Sequence, residues 1–139
     1  MNNISIFTDG GSRGNPGPAA IGVYIEESGK ELAGIGEKIG STTNNIAEYS
    51  AVVKGLTWLC EHKGKIEKNA KINFFLDSQL AYSQLVGLYK VKNENIRKLV
   101  FIVRQKEAEL GIGVNYSYIP REKNIKADAL VNLALDNKI

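Results

Sequence analysis

Strand-like and helix-like segments follow one another along this chain in an order that admits few folds. Ile4-Ser5-Ile6-Phe7-Thr8 is β-branched and aromatic and reads as a strand. Asp9 to Pro18 has the composition of a loop, rich in glycine and proline. Ala20 to Glu26 reads as a second strand, Ser28-Gly29-Lys30 as a turn, and Leu32 to Ile39 as a third strand. The short glycine-containing turn between the last two predicts an antiparallel hairpin. Thr42-Thr43-Asn44-Asn45 then offers capping side chains to a helix over Ile46–Glu61, with Ile46, Tyr49, Val53, Leu56 and Cys60 on one face. A polar, lysine-bearing linker, His62 to Asn69, leads to a fourth strand, Lys71–Leu76. A short helix over Gln79–Tyr89 precedes a longer one over Asn93–Leu110, which Gly111 terminates. Val114–Ile119 alternates as a fifth strand, Pro120–Asn124 is a loop, and Ile125–Leu135 is a terminal helix. The order β-β-β-α-β-α-α-β-α predicts an α/β fold: a mixed sheet with helices packed on its faces.

The 139 residues suit one domain over residues 1–139. Hydrophobic residues at 43% and charged residues at 24% are ordinary for a globular chain. No apolar run approaches the roughly 18–20 residues of a membrane span, and Met1-Asn2-Asn3-Ile4 lacks the start of a signal peptide. One cysteine, Cys60, excludes an internal disulfide framework and a multi-cysteine zinc site. One histidine, His62, leaves little imidazole for triad or metal chemistry. A cytoplasmic, reducing setting and a monomer without an obligate protein partner are expected. The net charge of +3 is unevenly spread. Residues 1–50 carry three bases against six acids, and residues 51–139 fifteen bases against nine. A basic half suits an acidic partner such as nucleic acid, although a solvated lysine-rich surface has the same composition.

Four carboxylates hold special places in this layout. Asp9 and Asp77 each follow an apolar strand, Glu48 lies in the first turn of the first helix, and Asp128 lies early in the last. Ligands of α/β sheets bind outside the strand ends, so Asp9 and Asp77 share one crevice if their strands are neighbours. Taken singly, each acid is explained by a helix cap, a helix dipole or an Asx-turn. Together, without histidine or cysteine, they form the ligand set of a hard cation such as Mg²⁺ or Mn²⁺. The stretch Gly11–Gly17 does not match G-x-G-x-x-G, and no P-loop, H-E-x-x-H or EF-hand pattern occurs.

Phe7-Thr8-Asp9-Gly10-Gly11 with Gly14-Asn15-Pro16-Gly17-Pro18 resembles the opening motif of type 1 ribonuclease H. Thr42 to Glu48 resembles that family's T-x-N-x-x-E helix start, Leu76-Asp77-Ser78-Gln79 its D-S-Q block, and Asn124 to Leu130 its N-x-x-A-D-x-L block. The blocks occur in the family's order and span residues 7 to 130. The resemblance implies a ribonuclease H-like fold, with a five-stranded mixed sheet of order 3-2-1-4-5 flanked by helices. It implies an endonuclease that cuts the RNA strand of an RNA–DNA hybrid. Asp9, Glu48, Asp77 and Asp128 match the family's metal-binding acids. Two Mg²⁺ ions, with Mn²⁺ as a substitute, would bridge the scissile phosphate, one activating the attacking water and one stabilising the leaving 3′-oxygen. Asn15, Asn44 and Gln79 match residues of the hybrid's minor groove, with the backbone of Gly11, Ser12 and Arg13 beside the 2′-hydroxyls. Thr43 matches a threonine at a DNA phosphate.

Two departures from the family pattern stand out. Many members place a histidine on the loop before the last aspartate, whereas Tyr118 to Asn124 contains none. Arg121 stands there instead, as in a shorter-loop subgroup; it cannot shuttle a proton but can hold a phosphate. Leu88 to Asn93 leaves no room for the basic helix that some members insert, so weaker and more salt-sensitive binding is expected. The alternatives are a nuclease of the same fold with different or dual specificity, also cutting double-stranded RNA, and a non-catalytic hybrid-binding module. The second would be expected to lack a carboxylate, and all four are present.

Overall fold

The computed structural model describes residues 1–139. Five strands, β1 (Asn3–Ser12), β2 (Gly17–Glu27), β3 (Lys30–Thr42), β4 (Lys71–Leu76) and β5 (Val114–Tyr118), form one sheet in the order β3-β2-β1-β4-β5. β1 pairs antiparallel with β2 and parallel with β4, and β4 pairs parallel with β5. The sheet is therefore mixed, as expected. Four helices flank it: α1 (Asn44–Glu61), α2 (Gln79–Leu85), α3 (Glu94–Leu110) and α4 (Ile125–Leu135).

One face of the sheet carries the main core. Ile4 and Ile6 of β1, Val23 and Ile25 of β2, and Ile72, Phe74 and Leu76 of β4 are almost completely buried there, packed with Tyr49, Val52, Leu56 and Leu59 of α1 and Val103 of α3. The opposite face is covered by α4, which packs over β1, β2 and β3. Its contact layer is thin, made by Ala20, Val131 and Ala134. Close approach requires glycine on both faces. A Cβ on Gly10 would lie 2.2 Å from the Ala47 carbonyl group in α1, and one on Gly22 2.1 Å from the Ala127 oxygen in α4.

Three expectations are corrected. The stretch from Asp9 to Pro18 is mostly strand, because Asp9, Gly10, Gly11 and Ser12 continue the ladder opposite Gly22, Ile21, Ala20 and Ala19. Asp9 thus lies inside β1 rather than at its end. α1 begins at Asn44, so Glu48 stands beyond its first turn and gains little from the helix dipole. Its buried face runs through Ala47, Glu48, Ala51, Val52, Gly55 and Leu59 in addition to Tyr49 and Leu56, while Ile46, Val53 and Cys60 are only partly buried. The small residues face the sheet because α1 sits so close to it. The remaining helices begin and end within a few residues of their expected limits. Asn93 and Ser78 cap α3 and α2 by accepting from the Ile96 and Ala81 amides, and Gly111 ends α3 in the left-handed region at φ 70°.

Candidate active site

The register of β1 against β4 builds the site. Thr8 lies opposite Leu76 at the last rung of the parallel pair, so the next residues, Asp9 and Asp77, follow side by side just beyond that ladder, Asp9 still within β1 and Asp77 past the end of β4. Beyond these two strands the chain turns back into β2 on one side of the pair and crosses over to β5 on the other, the kind of point at which α/β sheets place ligands. Glu48 arrives from α1, whose first turns lie on Gly10, and Thr43 caps that helix by accepting from the Ile46 amide at 3.3 Å. Ligand oxygens of Asp9, Glu48 and Asp77 all lie within 4.8 Å of one another. Asp128, in the first turn of α4, lines the same cleft of about 450 Å³ but stands outside that trio.

The electrostatics are those of an uncompensated acidic cluster. The Asp9 carboxyl is pushed up to about 7, chiefly by burial and then by repulsion from Asp77 and Asp128. A hydrogen bond with Glu48 and the charge of Arg121 oppose that rise. Glu48 is held well above the usual carboxylate range, again by burial first and by Asp9 and Asp77 next, and the Gly10 amide opposes it. Glu48 Oε2 and Asp77 Oδ1 are buried acceptors with no hydrogen-bond partner. Buried oxygens without donors are rare, and an oxygen-only donor set that excludes nitrogen and sulfur suits a hard divalent cation.

Asn124 supplies a contact that the sequence did not single out. It is 1% exposed, and its Nδ2 donates to the Thr8 carbonyl at 2.8 Å and to Asp77 Oδ2 at 3.0 Å. One amide therefore ties β1, the Asp77 carboxylate and the start of α4 together. In sequence it reads as the end of a loop, and its side chain makes no capping bond to α4. Its place four residues before Asp128 in the last motif was the available signal.

The other expected residues are distributed unevenly. Gly11, Ser12, Asn44 and Arg121 line the cleft with the acids. Asn44 Oδ1 accepts from the Ser12 amide at 2.9 Å and from Ser12 Oγ at 3.1 Å. Asn15 reaches the site indirectly, its Oδ1 accepting from the Asn44 amide at 3.0 Å. Arg13 turns away to Asp136, at 2.7 Å. Thr43 is engaged as the α1 cap, and Gln79 stands exposed as the first residue of α2.

A family model described as RNase H matches residues 1–134. Among solved structures, an RNase H1 isolated from compost by a metagenomic approach superposes with a TM-score of 0.93 at 41% identity, covering 99% of this chain and 98% of that one. A crystal structure of that RNase H1 in complex with an RNA/DNA hybrid gives a TM-score of 0.91 at 40% identity, covering 96% of this chain and 97% of that one. Ribonuclease HI of Halobacterium salinarum is 37% identical over 137 residues, 96% of this chain and 65% of that protein. A bifunctional protein of Mycobacterium tuberculosis is 38% identical over 135 residues, 96% of this chain and 35% of that protein. This chain thus spans about a third of the length of the first curated relatives it matches.

Proposed function

The chain belongs to the RNase H family, and from that premise we propose that it is an endonuclease hydrolysing the RNA strand of RNA–DNA hybrids with divalent metal ions. One observation carries the proposal: three carboxylates from three separate elements converge within 4.8 Å, two of them offering buried oxygens that nothing in the protein satisfies. Burial of such a cluster is costly unless a cation compensates it. The hybrid as substrate is supported by the 40% identical RNase H1 whose structure contains one.

Asp9, Glu48 and Asp77 would hold one ion, and Asp128 on the cleft wall would complete the place for a second. Mg²⁺ is the proposed metal, with Mn²⁺ as substitute. When bound, such ions neutralise phosphate charge, activate water and stabilise the leaving oxygen. The chain's own residues position the parts. Asn124 fixes the Asp77 carboxylate, Asn15 and Ser12 fix Asn44, and Arg121 brings a permanent cation to the cleft that faces the phosphate. Gly11, Ser12, Asn44 and Gln79 form the groove-facing side, where ribose 2′-hydroxyls distinguish RNA from DNA. Thr43 is assigned to a phosphate of the DNA strand, and the backbone of Arg13, whose side chain pairs with Asp136, to the ribose 2′-hydroxyls.

The test is incubation of the protein with end-labelled RNA–DNA hybrid, double-stranded RNA and double-stranded DNA, each with and without Mg²⁺. Cleavage of only the hybrid's RNA strand, and only with metal, is expected. Comparable cleavage of double-stranded RNA would shift the assignment to dual specificity. Tight hybrid binding without cleavage under any divalent metal would make the protein a binding module.

A further inference from the structure

Side chains alternate along a strand, so Phe7 shares a face of β1 with Asp9, and Phe75, paired with Phe7 in the ladder, lies on the same face of β4, two residues before Asp77. At about 3.3 Å per residue, this aromatic pair lies roughly 7 Å behind the acids. The two rings stack with centroids 4.9 Å apart, and Tyr24 of β2 tilts against Phe7 at 6.3 Å. Beside them opens a cavity of about 220 Å³ lined by Phe7, Tyr24, Glu26, Lys123, Ile125 and Lys126. The short helical turn Arg121–Lys123 separates it from the catalytic cleft: Arg121 lines one side and Lys123 the other.

We infer that this cavity binds one unpaired nucleotide of a single-stranded extension flanking the hybrid. The inference rests on the hybrid-cleaving function proposed above. Tyr24 is buried beneath Lys126, so Phe7, the partly exposed ring of the lining, is the one on which a base can stack, and a cation beside it takes the phosphate. The cavity is smaller than the roughly 300–1,000 Å³ of sites for drug-sized ligands, which suits one base. Lys126 is already committed, donating to the Tyr24 hydroxyl at 2.9 Å and lying 4.4 Å from its ring centroid, and so holds that ring in place. It also faces Glu26, the one acid of the lining. Lys123 makes no ion pair and is the cation left for a phosphate. Ile125 stands 67% exposed at the lip, a large apolar side chain with nothing over it. Bases inside a duplex are paired and stacked on both sides, so only an unpaired nucleotide can enter. A strand leaving the cleft over the Arg121–Lys123 turn arrives there.

The test compares cleavage of three hybrids of identical duplex: blunt, with a short single-stranded tail at either end, and with the same tail made abasic. Binding of fluorescein-labelled decathymidylate is measured in parallel by anisotropy. The expected result is a KM at least fivefold lower for one tailed hybrid than for the blunt one, with the gain lost when the tail is abasic. Ile125→Ser and Lys123→Ala, both at exposed positions, should abolish the gain and weaken decathymidylate binding several-fold, with kcat and KM on blunt hybrid unchanged. Equal KM values for blunt and tailed hybrids overturn the inference. An equal gain from the abasic tail also overturns it, because backbone attraction alone would then suffice. If the blunt hybrid is not cleaved at all, the proposed function fails, and decathymidylate binding with its dependence on Ile125 still decides whether the cavity takes a base.

Discussion

Asp9 is the residue whose state decides most about the site. Without metal its carboxyl titrates near 7, far above its ordinary value, because it is buried and faces Asp77 and Asp128. Between about pH 4 and pH 7 the folded protein therefore binds more protons at this position than the unfolded chain does. Stability then falls as pH rises through that window. Asp9→Asn removes the charge and keeps the shape. In the absence of metal it should raise the melting temperature at pH 8, by the equivalent of roughly 1–3 kcal/mol, and leave it unchanged at pH 4. Cleavage by the same variant should drop by orders of magnitude while its circular dichroism spectrum persists. Metal binding has to displace protons from the Asp9–Glu48 pair, so Mg²⁺ should stabilise the wild-type protein at pH 8 and lose that effect as pH falls below about 6. A variant that cleaved like wild type would sink the assignment of Asp9. Arg121 makes a different contribution. It lies in the cleft and its charge acts on Asp9, yet it stays protonated and cannot replace a histidine as a proton carrier. Arg121→Ala should weaken hybrid binding and reduce the slope of log Kd against log salt by about one counterion. Turnover at saturating substrate should fall far less than for the four acids. A collapse of turnover with binding intact would place Arg121 in the chemical step.

Among elements, the distance between α1 and β1 is the dimension on which the acids depend, and Gly10 sets it. A methyl group there would overlap the Ala47 carbonyl group and sit 2.5 Å from the Glu48 amide, both of them backbone atoms that cannot rotate away. Gly10→Ala should therefore lift the start of α1, cost about 3 kcal/mol or more, and separate Glu48 from Asp9. Gly29→Ala, in a turn where a Cβ meets nothing, is the informative contrast: its strain comes only from a positive φ of 87°. It should cost about 1 kcal/mol and leave cleavage untouched. Chemical denaturation and hybrid cleavage measured on both variants check this. The elements themselves were legible because hydrophobic periodicity and capping residues are local signals, and α4 was read to the residue. The first loop was misread because glycine and proline dominate its composition, whereas long-range pairing with β2 decides its structure. The inner face of α1 was misread for a related reason: a helix held close to a sheet buries alanine and glycine, and bulky residues such as Ile46 and Val53 move to its flanks. The acids were legible through their motifs. The bridging role of Asn124 and the pairing of Arg13 with Asp136 were not, since each depends on a partner brought near only by the fold.

Across the whole molecule, the proposed function would divide the work of binding between charge and groove chemistry. The first 50 residues, which include Asp9 and Glu48, carry three bases and six acids, and the remainder carries fifteen bases and nine acids. On a hybrid, the basic remainder would attract phosphates without reading sequence, and no extra basic helix follows Asp77 to strengthen that attraction. Discrimination then has to come from the groove-facing polar groups. Asn44 is the proposed reader: its Oδ1 accepts from the Ser12 amide and hydroxyl, which would leave its Nδ2 as a donor for a ribose oxygen. Gln79, exposed at the start of α2, has both a donor and an acceptor to offer. A hybrid whose RNA strand carries a central block of deoxyribonucleotides keeps every phosphate and removes only the 2′-hydroxyls. Each lost hydrogen bond should cost roughly 0.5–1.5 kcal/mol. Cleavage should therefore fall steeply inside the block, while total binding and its salt dependence change little. Mapping the cleavage positions on a sequencing gel reads both regions in one experiment. Equal cutting inside and outside the block would mean that Asn44 and Gln79 do not read ribose. A loss of cutting confined to the block in wild type, and blunted in Asn44→Ala, would assign the readout to that amide.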